Sequence, residues 1–152
     1  MPVFISPEGR PERHTIKPEG YFTRDEWIDA HPDVFERYRA RKLKEISAAY
    51  SQFDATGTTM TSLGFPIQVG QSHCANFDRA VRFAEMNPEQ TAIYITDANN
   101  VTHLEIPLTT ARQVLTEQHL AARLAHGKKQ SLRAQVMDAE TVEELDDIEV
   151  GF

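Results

Sequence analysis

One cysteine, Cys74, stands in a chain of 152 residues, so no internal disulfide is possible. Apolar runs are short, which excludes a helix able to span a bilayer. Positive charge is scarce: 16 Lys and Arg against 23 Asp and Glu give a net charge of −7. A general attraction to nucleic acid or to an anionic membrane is therefore not expected. The opening "MPVFISPEGRPER" lacks the basic-then-apolar order of a secretory signal. With a lone thiol and no export signal, a reducing cytoplasm is the expected location. Neither a G-x-G-x-x-G fingerprint nor a P-loop occurs, so nucleotide binding has no motif behind it. No internal repeat or low-complexity tract stands out. What remains is ordinary globular composition, 40% hydrophobic and 26% charged, at a length that suits one domain with an arm.

Residues 1–22 carry Pro2, Pro7, Pro11 and Pro18, with Gly9 and Gly20. Proline fixes φ and removes a donor, so a helix is excluded and an extended Pro/Gly-rich arm is expected. Phe4, Ile5, Tyr21 and Phe22 are its apolar anchors and candidate partner contacts. Thr23 and Glu26 have capping-box spacing, which starts a helix near Arg24. Pro32 interrupts it and suits the first turn of the next helix. There Phe35, Tyr38, Leu43, Ile46, Tyr50 and Phe53 recur at helical spacing. Residues 23–53 thus read as a helical segment able to oligomerise, with Phe35 and Tyr38 as further candidate contacts.

From residue 58 the period changes. "TTMTSLGFPIQVG" reads as a hairpin around Ser62-Leu63-Gly64, with Pro66 keeping its second arm at an edge. "SHCANFDRAVRFAEMNP" reads as a short helix with Ser72 as N-cap and Cys74, Phe77, Val81 and Ala84 on one face. "TAIYITDANNVTHLEI" is a second hairpin, with Ile93 and Ile95 on one side and Ala92 and Tyr94 on the other. Asp97 to Asn100 supply its turn. Thr110 and Gln113 suggest a cap for a long helix over 111–137, whose apolar side reads as Val114, Leu120, Leu124, Leu132 and Val136. Gly127 within it marks a kink or a close approach. The expected architecture is α+β. Two short hairpins pack with a short helix and a long C-terminal helix, in a small domain over 54–152.

The closing "AQVMDAETVEELDDIEV" concentrates acids: Asp138, Glu140, Glu143, Glu144, Asp146, Asp147 and Glu149. Thr141 and Glu144 form another capping box. Val142, Leu145 and Ile148 then share a face, and the acids cover the rest. The run reads as the wet side of a small docking helix. A metal would need carboxylates converging from separate elements, and the calcium-loop glycine is missing.

Other chemistry is weakly signalled. His73 and Cys74 are neighbours, but adjacent helical side chains diverge by about 100°. Cys74 falls on the apolar stripe and reads as a core cysteine. None of His14, His31, His73, His103, His119 and His126 forms an H-x-x-x-H pair. No catalytic residue, cofactor site or metal site is assigned. "RYRARKLK" over 37–44 and "GKKQSLR" over 127–133 are basic. A helix interleaves the first with Tyr38 and Leu43, giving either a solvated face or a phosphate contact.

The segment from about Phe53 to Ile148 resembles a domain family of tailed bacteriophages and prophages, found in small proteins associated with tail fibres. "FDATGTTMTSLGF" looks like its first hairpin and "SHCANFDRAVRFA" like its short helix. "ITDANNVTHLEIPLTTARQVL" looks like its second hairpin leading into a helix. "KKQSLRAQVMDAETVEELDDI" looks like its closing signature. The sequence departs from the usual pattern at Val101-Thr102-His103, and the first third has no counterpart. The resemblance implies a non-enzymatic structural or assembly role. Protein partners among tail-fibre or other tail components are expected, together with a homo-oligomer. Rival readings are a nucleic-acid-contacting regulator using residues 37–44 and a small enzyme using Cys74 or the tail acids.

Overall fold

A computed structural model describes residues 1–152. The fold is α+β, with five helices and three separate two-stranded antiparallel sheets. Contacts divide the chain into two compact units, 1–46 with 132–150, and 47–131 with 151–152. This division differs from the expected arm, helical segment and domain. Two long helices each contribute to both units, a partition that the sequence pattern does not display.

In the first unit, β1 (Val3–Ile5) pairs with β2 (Pro11–Arg13), setting Val3 opposite Arg13 and Ile5 opposite Pro11. Ser6 closes the turn: its carbonyl accepts from Gly9 N–H at 2.8 Å and its hydroxyl from Arg10 N–H at 3.2 Å. Gly9 adopts φ 81°, a left-handed conformation that glycine takes without strain. Ile5 and Phe22 then exchange backbone hydrogen bonds of 2.7 and 2.8 Å. The expected extended arm is therefore a folded hairpin. Prolines forbid a helix, but Pro11 opens a strand where no ladder donor is needed.

Thr23 and Glu26 form the expected capping box on α1 (Arg24–Ala30), and α2 (Pro32–Thr56) begins on its proline. At the other end of the chain, α5 (Val142–Asp146) opens with the Thr141–Glu144 box. Val142, Leu145 and Ile148 are buried. Arg24 reaches outward to Glu143 at 3.3 Å and Asp146 at 3.2 Å. The acidic run is thus the outer face of a docked turn, as its spacing indicates. Nowhere do three His, Cys, Asp or Glu side chains gather as metal ligands.

In the second unit, β3 (Thr58–Met60) pairs with β4 (Pro66–Gln68), and β5 (Ala92–Thr96) with β6 (Thr102–Pro107). Helix α3 (Gln71–Glu85) lies between these hairpins in the chain. It starts one residue before the expected N-cap, Ser72. Gly70 takes the cap position with no side-chain bond, and the Asp54 carboxylate accepts from Gln71 N–H at 2.9 Å instead. Helix α4 (Leu108–Asp138) likewise starts before Thr110, directly after Pro107.

Two clusters form the core of this unit. Phe65, Ile67, Ile95 and Val114 make one, and Val81, Ala84, Ile93 and Ala111 the other. Phe77 and Ile106 pack against both. Ile93 and Ile95 point inward and Tyr94 outward, as alternation requires. The apolar side of α4 differs from expectation. Leu120 and Leu124 are exposed, while Ala111, Val114, Gln118, Ala125, Leu132 and Val136 are buried. Gly127 meets nothing within 4 Å and the helix runs through it, so it marks no close approach. No helix is long and apolar enough to cross a membrane.

Candidate functional site

A cleft of 420 Å³ lies in the second unit, beside α3 and the edges of β4 and β5. Ile67, Phe77, Ile93 and Ile95 supply apolar lining, and Gln118 a polar part of it. Phe83 and Tyr94 complete the wall and are 70% and 68% exposed. Both rings thus stand largely in water beside the apolar cleft. Each would gain on the order of 1.5–3 kcal/mol on full burial.

Strand geometry decides which backbone groups face this cleft. Thr91 O accepts from Leu108 N–H at 3.0 Å, and Asp97 N–H donates to Val101 O at 2.9 Å. Odd-numbered residues of β5 therefore turn their peptide groups to β6. The register slip between Ile93 and Ile95 leaves that parity intact, because the partners step from Ile106 to His103. The extra residue is on β6, where Glu105 takes φ 55°. Tyr94 and Thr96 thus present N–H and C=O at the open edge of β5.

On β4, Val69 N–H donates to Gly57 O at 3.1 Å, so the even residues face away from β3. Their carbonyls are used: Ala98 N–H donates to Pro66 O at 2.8 Å, and Gln118 Nε2 to Gln68 O at 2.7 Å. Gln118 is 3% exposed, and its own Oε1 is buried without a donor. An unsatisfied buried acceptor costs about 1–3 kcal/mol. It is the one polar feature of the cleft that the fold does not explain.

Below the turn of the second hairpin, Asp97 organises the chain. Its Oδ1 accepts from Asn99 N–H at 2.8 Å and Val101 N–H at 3.0 Å. Its Oδ2 meets His103 Nε2 at 2.8 Å. The His103 contact, and then the Val101 amide, hold the Asp97 carboxyl below its ordinary value. The His103 ring stacks on Phe65, with centroids 3.8 Å apart. His103 thus anchors the turn of the second hairpin.

A second cleft, of 580 Å³, is lined by Tyr50, Phe53, Cys74, His119 and His126 among others. Its chemistry is engaged elsewhere. Cys74 Sγ donates to Val69 O at 3.4 Å. Burial, with the Asp54 charge second, pushes its thiol pKa up, opposite to what a nucleophile needs. His119 Nδ1 lies 3.0 Å from Leu115 O. Tyr50 packs edge-on against His126 and Phe152, under the Lys129 ammonium.

The partner contacts expected from the sequence make contacts within the first unit. Ile5 bridges to Phe22, and Phe22 packs edge-on against Trp27. Tyr21 donates to Glu12 at 2.9 Å. Phe4 is half-buried. Phe35 and Tyr38 sit under the Arg39 and Arg41 guanidinium groups. Of the basic residues at 37–44, Arg37, Arg39 and Lys42 pair with Asp33, Glu36 and Glu45 on the same helix. Sequence reading missed the cleft. Tyr94 was legible as outward-facing, but nothing in the pattern joins it to Phe83.

Compared with protein-family models, curated proteins and solved structures, the chain finds no match in any of the three.

Proposed function

We propose that the chain is a non-enzymatic structural or assembly protein of a bacteriophage or prophage tail. It acts by protein–protein contact through the α3–β5 face of its second unit. The observation that carries the contact is the exposed Phe83–Tyr94 pair at the apolar cleft. Aromatic anchors beside a pocket are the usual centres of binding energy in protein interfaces. The tail assignment rests on the ordered motifs between Phe53 and Ile148. The place of action is then the bacterial cytoplasm during assembly or the tail of the finished particle. Self-association is a further expectation, supported by Leu120 and Leu124, which are exposed on α4.

The test is deletion of the coding sequence from the genome that carries it, followed by electron microscopy of induced particles. Particles with incomplete tails or missing fibres are expected. Intact, infective particles would overturn the tail assignment.

A further inference from the structure

The cleft carries two demands on its occupant. Its lining is apolar at Ile67, Phe77, Ile93 and Ile95. Along one side, the Tyr94 and Thr96 peptide groups lie at the unpaired edge of a sheet that has only two strands. A compact apolar molecule answers the first demand alone. An ion or a sugar fails the first. An extended peptide answers both, with backbone groups for the edge and an alternate side chain for the lining.

We infer that the cleft takes an extended segment of the partner protein, added as a third strand on the open edge of β5. One apolar side chain of that segment enters beside Phe77. Phe83 and Tyr94 close over it. This rests on the protein–protein reading above and specifies its mode. An isolated two-stranded sheet is marginal in water, and a third strand gives β5 pairing on both sides. The other end of the gap is already closed, because Ala98 N–H occupies Pro66 O. The added strand therefore runs along Tyr94 and Thr96 and stops before the turn at Asp97.

The test uses the full chain and a displayed library of random dodecapeptides as probe. The best binder is then synthesised in two forms, one plain and one N-methylated at alternate residues. Alternating apolar positions are expected in the enriched sequences. Methylation of the edge-facing amides should weaken binding at least tenfold on the order expected for lost ladder donors, while methylation in the opposite phase is tolerated. Tyr94→Pro, which removes an outward N–H at an edge position that tolerates proline, should abolish it. Equal affinity of both methylated phases, or no enriched peptide sensitive to Tyr94, would overturn strand addition. Either result would leave the deletion phenotype to judge the tail assignment separately.

Discussion

Gln118 donates to the Gln68 carbonyl at 2.7 Å while its own Oε1 stays buried without a donor. The side chain fixes α4 to β4 and leaves half of its polar capacity unused. Replacing it with an apolar side chain of similar length removes one unsatisfied acceptor and leaves another, the Gln68 carbonyl, without its donor. These effects oppose each other, each at about 1–3 kcal/mol. Gln118→Met is expected to change folding stability by less than about 1 kcal/mol in urea titration, a small effect for so buried a position. A loss above about 3 kcal/mol would mean that Oε1 has a partner in solution.

Two glycines should respond in opposite directions. A Cβ at Gly70 would overlap the Asp54 carbonyl oxygen, so the end of α2 must yield. Gly70→Ala is expected to cost on the order of 1–3 kcal/mol by overpacking. Gly127 has open space around it in mid-helix. Gly127→Ala should stabilise the chain by about 1 kcal/mol through helix propensity. Thermal melts of the two variants, recorded together, check both signs.

Asp97 makes the second hairpin acid-sensitive. Its folded pKa lies below the ordinary 3.8, owing first to His103 and then to the Val101 amide. A depressed carboxylate contributes its full stabilisation above the unfolded value and loses it as pH falls through the folded one. Stability should therefore decline below about pH 4, and Asp97→Ala should flatten that part of the profile. Asp97→Ala also strips the Asn99 and Val101 amides of their acceptor. Hydrogen exchange at Val101 should accelerate at neutral pH in this variant, whereas an unchanged rate would show that the turn does not depend on the carboxylate.

The acidic closing segment is expected to matter through its apolar residues. Leu145 is 2% exposed, so Leu145→Ala should cost about 2–5 kcal/mol. Thr141 accepts from Glu144 N–H at 3.2 Å, and Thr141→Ala should cost about 1 kcal/mol. Glu143→Gln breaks a half-exposed, solvent-screened ion pair with Arg24 and should have the smallest effect of the three. Chemical denaturation of the three variants gives the ranking, and a larger loss for Glu143 than for Leu145 would make the acids structural after all.

The features legible in the sequence are those set by local chemistry. The boxes at Thr23 and Thr141, the turn at Asp97 and the buried stripe from Cys74 to Ala84 all follow from short spacings. The α+β class follows from the change of period near residue 58. The features missed depend on distant groups. On α4 the buried line passes through Ala111, Gln118 and Ala125, residues too small or too polar to register as core. Leu120 lies two positions beyond Gln118, about 200° around the helix, and so faces water. The α3 cap fails at Ser72 because Asp54, from another element, supplies the acceptor. The cleft itself is formed by two strand edges and a helix that no spacing rule brings together.

The proposed contact with a partner lies on the α3–β5 face and not on the first unit. A photo-crosslinking amino acid placed singly at Phe83, Tyr94, Phe4 and Phe35, in cells producing the proposed tail, distinguishes the two surfaces. Adducts with a tail protein are expected from positions 83 and 94, and little from 4 and 35. Adducts confined to positions 4 and 35 would contradict it and return the partner surface to the first unit.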